Sequence, residues 1–459
     1  MDNQNPAFSV ALKDRVGEIV DSCTRCGKCF QACPMTAPAG INTSEPAAVV
    51  TGVLDILAGG PGTSDARRWV NVCSSSGKCI AVCDYGVNPR FMVSMARLEL
   101  KRRAGENVVR TDGNKSFRGM SRGVRVLSRL QLPADDLKRL GQPVPEDSET
   151  EIPDLVFYTG CNVLKTPHIA LLCLDVLDAL GINYRVLGGP AHCCGVLNYL
   201  DGDMKVGGRM GYTTTDRFAA TKTSTVLSWC PTCQIQFGEI VLPSYERSFE
   251  KAPFEMTPFV VYLAERLDDL RPFMTNSVNK RVGLHEHPGA LGIAAAARRI
   301  LKAIPGLEFV NLKQPSVGSM CNKLATLPEY HRKVHQRLLD AAEAAKVTTL
   351  AGVYHACHRQ LCSHEKDWPF EVVNFMELVG ESLGIQRPDL FKRLKILQDV
   401  DSIIADTRDL IETHDLEEDK VRESILEDLL SEQPLSLGHL PIADTVEQND
   451  NETKTTFYD

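Results

Sequence analysis

The chain has 459 residues, of which 43% are hydrophobic, 24% charged and 6% aromatic, the composition of a globular protein with room for several domains. A formal net charge of −8 argues against nucleic acid as the main partner, and no apolar run approaches the ~20 residues that span a bilayer. The first residues, MDNQNPAFSV, lack the basic and apolar parts of a signal peptide. We therefore expect a cytoplasmic protein that associates with a membrane only through a partner.

Sixteen cysteines are many for a cytoplasmic chain. In a reducing compartment, clustered cysteines are more often metal ligands than disulfides. All of them except Cys173 fall into groups along the sequence. Cys173 lies in HIALLCLDVLDALG, an apolar segment with a helical pattern, and is predicted to be a buried core thiol.

The first cysteine group lies in residues 1–105, a helix-like region predicted to be an α-helical ferredoxin-type domain. SCTRCGKCFQACP (22–34) has the C-x2-C-x2-C-x3-C-P spacing of bacterial ferredoxins, whose fourth cysteine ligates the other cluster of a pair. A zinc knuckle or a chance cluster of cysteines is the alternative. By the same logic, a second group returns its last cysteine to the first cluster. The first cluster, a [4Fe–4S], is therefore assigned Cys23, Cys26, Cys29 and Cys83, and the second keeps Cys33, Cys73 and Cys79.

The second group, VCSSSGKCIAVCDYGVNP (72–89), lacks one expected ligand because position 76 holds serine. Its pattern, C-x5-C-x3-C followed by GVNP, resembles the second motif of the iron–sulfur subunits of succinate dehydrogenase and fumarate reductase. The resemblance implies a [3Fe–4S] cluster, although Asp84 stands where that family usually has proline. Two alternatives stay open. One is a [4Fe–4S] cluster whose fourth ligand is Ser76, through a hydroxyl that ionises less readily than a thiol, or another non-cysteine residue. The other is an empty site.

Two charged stretches flank the remaining domains. Residues 90–139 hold thirteen Lys and Arg against five Asp and Glu, and residues 106–153 are predicted to be a basic segment ending in the linker GQPVPEDSETEIP. The basic stretch is either a solvated helix face or a docking surface for a partner. Residues 401–459 hold seventeen acids and four bases and are predicted to be an acidic tail, helical at its start and disordered over its last twenty residues.

Between these stretches, the sequence predicts two α/β lobes, over 154–275 and 276–400. DLVFYTG (154–160) is typical of a buried strand, and a helix pattern and a second strand follow it, as in a βαβ unit. Residues 281–312 repeat the order of residues 154–187, and later segments correspond at an offset near 127 residues. An internal duplication is therefore expected. The predicted architecture is multidomain, with a helical ferredoxin domain, two duplicated α/β lobes and an acidic tail.

The first lobe carries a second cysteine constellation, made of Cys161, Cys193, Cys194, Cys230 and Cys233. Each of its three segments follows a predicted strand, so the thiolates can converge at the carboxyl edge of one sheet. The spacings, with Gly195 completing a CCG triplet, closely resemble the CCG domain of heterodisulfide reductases. The resemblance implies that these cysteines together hold a noncubane [4Fe–4S] cluster. Five unrelated structural thiols are the alternative.

In the second lobe this cysteine set is degenerate. The counterpart of Cys161 falls near Pro288 or Gly289, Met320 replaces Cys193, and CHRQLC replaces CPTC with altered spacing. One possibility is a zinc ion held by Cys321, Cys357, Cys362 and one of His355, His358 or His364. The other is a structural lobe that closes over the first site.

The layout of residues ~1–400 resembles the fused catalytic subunit of heterodisulfide reductase and the iron–sulfur subunits of glycolate and glycerol-3-phosphate dehydrogenases. It implies a subunit that passes electrons between a partner flavoprotein or haem protein and a disulfide or thiol, with Cys193 and Cys194 as the catalytic pair. Such a site requires an open pocket, which we expect His192 and Tyr199 to line. The alternative is a pure relay between a dehydrogenase and a quinone-linked acceptor. No flavin or nicotinamide fingerprint occurs, and a redox or iron sensor lacks an output domain.

Overall fold

The structure is a computed structural model that describes residues 4–141, 152–287, 292–315 and 317–438. The linker expected at 141–153 lies mostly outside the described residues. So do Pro288, Gly289 and residues 439–459, which include the last twenty residues, predicted to be disordered. Within residues 4–141 the described elements are all helices, namely α1 (Gln4–Ser22), α2 (Lys28–Gln31), α3 (Pro46–Leu57), α4 (Ser64–Val72), α5 (Pro89–Arg102), α6 (Glu106–Arg129) and α7 (Ala134–Arg139).

Two α/β lobes follow. The elements of lobe 1 are β1 (Leu155–Tyr158), α8 (Pro167–Ala179), β2 (Tyr184–Leu187), α9 (Val196–Leu200), α10 (Met204–Ala219), β3 (Thr225–Ser228), α11 (Pro231–Ile235), α12 (Leu242–Phe249), β4 (Glu255–Pro258), α13 (Phe259–Glu265) and α14 (Leu267–Leu270). Those of lobe 2 are β5 (Arg281–His285), α15 (Ile293–Leu301), β6 (Glu308–Val310), α16 (Pro328–Ala344), β7 (Thr349–Gly352), α17 (His355–Leu361), β8 (Glu371–Asn374) and α18 (Phe375–Ser382).

The two lobes have the same sheet topology. Lobe 1 has a four-stranded parallel sheet in the order β2-β1-β3-β4, and lobe 2 has one in the corresponding order β6-β5-β7-β8. Parallel strands are joined by crossover helices that cover the faces of the sheet, so the central strands β1, β3, β5 and β7 are mostly buried, whereas β4 and β6 are partly exposed. In both sheets the carboxyl ends of the strands lie at one edge, where ligands bind in folds of this kind.

A single apolar core joins lobe 1 to lobe 2. Helices α8 and α13 of lobe 1 pack against α18 and α15 of lobe 2, respectively. Trp229 and Phe375 stack across this boundary with ring centroids 6.1 Å apart. A stacked pair of this kind adds about 0.5–1.5 kcal/mol beyond the area that it buries. The carboxyl edge of lobe 1 therefore faces residues of lobe 2 at a fixed distance.

The N-terminal helices pack on the opposite side of lobe 1. Helix α1 lies against α10 and α12, with Phe8 edge-on to Tyr212 at 5.2 Å between ring centroids. Arg15 donates hydrogen bonds to the carbonyl oxygens of Glu239 (2.6 Å) and Ile240 (3.3 Å). The Arg90 Nε lies 3.0 Å from the carboxylate of Glu239, in a largely buried ion pair. These contacts hold the cysteine loops of the N-terminal region against lobe 1.

The described part of the predicted tail is folded. Helices α19 (Leu390–Leu397), α20 (Val400–Asp406), α21 (Arg408–Thr413) and α22 (Glu418–Ser424), with a π-helical turn at Ile425–Leu430, form a cluster that packs on α6. Arg122 of α6 pairs with Glu423 at 2.5 Å, and Lys165 pairs with Asp428 at 2.7 Å. Part of the basic segment thus binds the acidic C-terminal helices of its own chain. The expectation of a solvated basic face is therefore wrong where Arg122 lies, and the start of the tail is helical, as expected.

Candidate iron–sulfur sites

The five-cysteine site lies at the carboxyl edge of the lobe 1 sheet. Cys161 follows β1, Cys193 and Cys194 follow β2, and Cys230 and Cys233 follow β3. All five are between 1% and 6% exposed. The sulfur atoms of Cys194 and Cys233 are 3.7 Å apart, and Cys193 lies within hydrogen-bonding distance of both Cys161 and Cys194. The structure therefore brings together all five cysteines that the spacing placed at this edge.

Backbone and side-chain groups orient these sulfurs. The Gly195 amide donates to the Cys193 sulfur at 3.4 Å, and the Tyr158 hydroxyl, which donates to the His192 carbonyl oxygen at 2.9 Å, lies 3.6 Å from the Cys233 sulfur. Hydrogen bonds from the neighbouring thiols, Cys161 first, lower the pKa of Cys193 to about 4. By contrast, a hydrogen bond to Cys193 together with burial raises the pKa of Cys161. Buried thiols this close cannot all ionise unless a cation joins them, and clustered thiolates are the ligands of iron–sulfur clusters, so the donor set fits such a cluster.

Gly195 has a structural reason to be glycine. Its φ is +78°, a conformation that side chains disfavour, and an added Cβ would lie 2.1 Å from the carbonyl oxygen of Gly207. The CCG turn therefore lets α9 and α10 approach each other backbone to backbone, which fixes where Cys193 and Cys194 point.

The cysteines of the N-terminal region line two separate cavities. Around the first are Cys23, Cys26, Cys29 and Cys83. Around the second are Cys33, Cys73 and Cys79, together with Ser76. The division of the cysteines is the one that the ferredoxin spacing predicts, with Cys83 returned to the first group. Sulfur donors gathered in this way fit iron–sulfur clusters.

The two cysteine loops share one backbone conformation. In the first, Arg25 and Gly27 have φ values of 62° and 79°, and in the second, Ser75 and Gly77 have φ values of 57° and 76°. The residue between the two left-handed positions is Cys26 in the first loop and Ser76 in the second. The serine therefore lies at the place of a cluster ligand in a loop that keeps the conformation of the other loop.

The three cysteine sites follow one another from the surface inward. Cys26 is exposed, beside Tyr85, which is 54% exposed. Burial, with the nearby sulfurs of Cys73, Cys33 and Cys29, raises the pKa of Cys79 to about 12, so the first and second cavities are close enough to interact. Half-buried Lys323 lies close enough to Cys73, Cys194 and Cys230 to interact electrostatically with all three. Burial lowers the pKa of this lysine, which has no ion-pair partner among the described residues.

Two arginines and a loop of lobe 2 hold the second cavity in place. Arg97 donates to the carbonyl oxygens of Val70 (2.6 Å) and Cys73 (3.0 Å), and Arg90 donates to that of Ser75 at 3.1 Å. From lobe 2, the Ser319 amide donates to the carbonyl oxygen of Ser74 at 2.9 Å. Lobe 2 therefore touches both the second cavity and the five-cysteine site.

A pocket opens on the five-cysteine site, between the two lobes. Its apolar side comes from α6 and α9 and its polar side mostly from lobe 2. Besides the five cysteines it is lined by Met120, Asn162, Val196, Leu197, Leu200, Thr232, Met320, Asn322, Lys323, His355, Ala356 and Arg359. The expectation of a pocket is met, but the residues expected to line it are wrong. Tyr199 is buried with its hydroxyl on the Met95 sulfur at 3.0 Å, and the His192 ring binds the Gly188 carbonyl oxygen at 3.0 Å.

In lobe 2 the structure separates the three cysteines that the sequence grouped. Cys321 and Cys357 lie together, with His285 and His287, whereas Cys362 packs against the C-terminal helices. Cys233 and Cys357 are each the third residue of their helices, α11 and α17, so Cys357 is the counterpart of Cys233 and Cys362 has none in the motif. The interpretation of CHRQLC as a respaced CPTC is therefore wrong, because the helix begins before the motif.

The three histidines proposed as zinc ligands also lie elsewhere. His355 lies in the pocket beside Cys230, His358 pairs with Asp389 at 2.6 Å, and His364 is buried beyond the end of α17. The sequence reasoning missed His285 and His287. The signal for them was the HEH triplet at the end of a buried strand, the edge where this fold gathers its ligands.

Comparison with known proteins matches the two regions of the chain that contain these cysteines. The family model "Cysteine-rich domain" (CCG) matches residues 155–238, and the model "4Fe-4S dicluster domain" matches residues 19–87. One subunit of the dihydromethanophenazine:CoB–CoM heterodisulfide reductase of Methanosarcina mazei is 25% identical over 80% of this chain and 95% of its own length. The same subunit of the Methanosarcina acetivorans enzyme is 24% identical over 80% of this chain and 94% of its own. One subunit of the fumarate reductase (CoM/CoB) of Methanothermobacter marburgensis is 26% identical over 54% of this chain and 47% of its own length.

The fold and the cysteine sites thus define an iron–sulfur oxidoreductase subunit. More specifically, the chain is homologous to the heterodisulfide reductase subunit of the two Methanosarcina species and combines a 4Fe-4S domain with a CCG domain. Such relatives are subunits of larger reductases, which implies redox partners for this chain. None of the helices in the described part of the chain is long and apolar enough to cross a membrane.

Proposed function

We propose that this chain is the electron-transfer and catalytic subunit of a cytoplasmic oxidoreductase complex that reduces a disulfide, or oxidises a thiol, at Cys193 and Cys194. The observation that carries the proposal is the pocket that opens directly on the five-cysteine site. A subunit that only relays electrons needs clusters near its surface but no pocket beside the innermost one.

We assign a cluster to each of the three cysteine sites. The first cavity, with four cysteines, suits a [4Fe–4S] cluster, and the five cysteines of lobe 1 suit a noncubane [4Fe–4S] cluster. For the second cavity we propose a [3Fe–4S] cluster held by Cys33, Cys73 and Cys79, since serine at the fourth position is a poor iron ligand. When bound, these clusters supply one-electron oxidation and reduction along the row of sites.

The two lobes are proposed to be copies of one ancestral unit with divided roles. Their sheets share one strand order, which supports a duplication. Lobe 1 keeps the full cysteine set. Lobe 2 contributes the polar side of the pocket, through Lys323, His355 and Arg359.

The pocket residues suit an amphipathic disulfide. Reduction of a disulfide takes two electrons and two protons, breaks one S–S bond and yields two thiols. Met120, Leu197 and Leu200 can bury an apolar arm, while the ammonium group of Lys323 can hold an anionic arm. His355 lies within hydrogen-bonding distance of Cys230, and its Nδ1 has no hydrogen-bond partner among the described residues. This imidazole is placed to give a proton to the departing thiolate.

The electrons are proposed to come from a partner flavoprotein or haem protein that docks at the exposed end of the row. Cys26 and Tyr85 mark that end. Lys28 and Asp84 beside it form a solvent-exposed ion pair at 2.5 Å. Long-range transfer into a buried site needs such an entry point, and we propose that any membrane association is through this partner.

Anaerobic single-turnover measurements test the proposal. The full chain, reduced with dithionite and freed of excess reductant, is mixed with glutathione disulfide or with the CoB–CoM heterodisulfide of the archaeal relatives. We expect oxidation of the visible iron–sulfur absorbance and release of two thiols per disulfide. Lys323→Met and His355→Gln should slow thiol release by about tenfold or more, and His192→Gln, outside the pocket, should not. If no disulfide releases thiols while a soluble quinone reoxidises the chain, the pure relay replaces this proposal.

A further inference from the structure

Lobe 2 contains a closed set of four ligand atoms. His285, His287, Cys321 and Cys357 each present one nitrogen or sulfur, and all of these atoms lie within 4.8 Å of one another. The His285 Nε2 is 3.1 Å from the Cys321 sulfur, and the His287 Nε2 is 3.5 Å from it. Both histidines also lie within hydrogen-bonding distance of the Cys357 sulfur.

We propose that these four residues bind one zinc ion in a structural site. Two thiolates and two imidazoles are the donor set of tetrahedral structural zinc. A tetrahedral ion with Zn–S bonds of about 2.3 Å and Zn–N bonds of about 2.0 Å separates its ligand atoms by roughly 3.3–3.8 Å. The nitrogen–sulfur distances of 3.1 and 3.5 Å are therefore already near those of the filled site. An iron–sulfur cluster would hold its ligands further apart than a single ion does.

The surroundings favour a static metal over a catalytic one. The four side chains are between 0% and 6% exposed, so there is no open position for water or substrate. The His287 Nδ1 lies 2.7 Å from the Val317 carbonyl oxygen, which can only accept. The proton of a neutral His287 is therefore on Nδ1, which leaves Nε2 for the metal. This is the outer hydrogen bond that metal-binding histidines usually make.

The four ligands can be compared with the equivalent positions of lobe 1. His285 pairs with Gly352 in the lobe 2 sheet as Tyr158 pairs with Ser228 in lobe 1. His285 thus takes the place of Tyr158, whose hydroxyl contacts Cys233, the counterpart of Cys357. The second lobe therefore keeps the equivalents of Cys194 and Cys233 and adds two imidazoles from the end of β5, at positions where lobe 1 has Tyr158 and Gly160.

The zinc ion positions the pocket wall. It joins the end of β5 to the segment at Cys321 and to α17. The residues after Cys321, Asn322 and Lys323, and the α17 residues His355 and Arg359 all line the pocket. Metal binding in lobe 2 thus fixes the polar side of the site in lobe 1 without touching it.

Metal analysis of the full chain, purified anaerobically with its iron, tests the site. We expect about one zinc per chain. In His287→Gln and Cys321→Ser, zinc should fall by about tenfold or more while iron stays near the wild-type level. The matched controls are His331→Gln and Cys362→Ser, which alter a buried histidine and a buried cysteine of the same lobe outside the ligand set. Amide hydrogen exchange of residues 317–327 should increase in the ligand variants and stay unchanged in the controls.

X-ray absorption at the zinc edge of the wild-type protein keeps the test independent of whether the variants fold. We expect two sulfur neighbours at ~2.3 Å and two nitrogen neighbours at ~2.0 Å. A shell of four sulfurs would place the zinc in a cysteine cluster instead and overturn the proposal. So would a fully iron-loaded protein without zinc, or ligand variants that retain it.

Discussion

Substitution of Gly195 by alanine tests whether the CCG turn positions the innermost cluster. An L residue in the left-handed conformation costs roughly 1–2 kcal/mol. The added methyl group would also lie 2.1 Å from the Gly207 carbonyl oxygen, a distance that only a shift of α10 away from α9 can relieve. Overpacking of this kind costs roughly 1–3 kcal/mol, so the total loss of stability is on the order of 2–5 kcal/mol.

The assay is the thermal unfolding of anaerobic Gly195→Ala, together with its iron and acid-labile sulfide content. We expect a lower unfolding temperature and loss of about one cluster per chain. Gly119→Ala is the matched control. That glycine lies inside α6 with nothing within 4 Å of an added Cβ, so alanine should stabilise the helix by about 1 kcal/mol. Wild-type iron content and unfolding temperature in Gly195→Ala would refute the reasoning.

Three further predictions follow from the described contacts. Ser76→Cys places a thiolate at the fourth position of the second cavity. The EPR signal of an oxidised [3Fe–4S] cluster should then be replaced by the signal of a reduced [4Fe–4S] cluster. An EPR signal that does not change would contradict our assignment. Burial opposes the charged form of His168, but Asp389 and Glu377, 3.6 and 3.7 Å away, outweigh it and raise its pKa. The protonated His168 therefore stabilises the fold fully below the pKa of ~6.5 that it has in the unfolded chain, and this stabilisation is lost as pH rises through its pKa in the folded protein. Denaturant titrations should show that His168→Asn is more destabilising at pH 6 than at pH 9. Lys165→Met leaves Asp428 buried and unpaired and should lower the free energy of unfolding by about 3 kcal/mol. The loss should be smaller in the double variant that also carries Asp428→Asn. Equal losses in the single and double variants would show that the ion pair is not the cause.

Local patterns in the sequence predict most of the architecture. The alternation of short apolar strands with apolar helices and the repeat near 127 residues predict two parallel α/β lobes, and the structure has two parallel sheets of one topology. The contacts that the charged stretches make were not predictable from local patterns. Arg122 and Glu423 are 301 residues apart, and no local pattern indicates that one would bind the other. Charge runs are usually solvated, so the expectation favoured solvent over an internal partner.

In the candidate site, too, local motifs were predictable from the sequence, whereas contacts between distant parts of the chain were not. Cysteine spacing, together with the predicted strands and the family resemblances, grouped the ligands of three cavities, because each motif is a local loop that follows one strand or opens one helix. The pocket wall was missed because Lys323 and His355 come from the other lobe and belong to no motif. The sequence also misassigned Cys362, since the start of α17 decides which residue matches Cys233 and spacing does not reveal where a helix begins.

The two lobes differ in the metal centre proposed for each, and this difference suits them to different roles. Five thiolates at one edge can hold a cluster that changes its charge, which a site on an electron path requires. Two thiolates and two neutral imidazoles on Zn²⁺ sum to no net charge, and zinc has no redox chemistry in proteins. Lobe 2 can therefore lie against the second cavity, through Ser319 and Ser74, and against the five-cysteine site, through Lys323, without diverting electrons. A redox-inactive ion thus suits a wall that has to stay fixed while charge passes beside it.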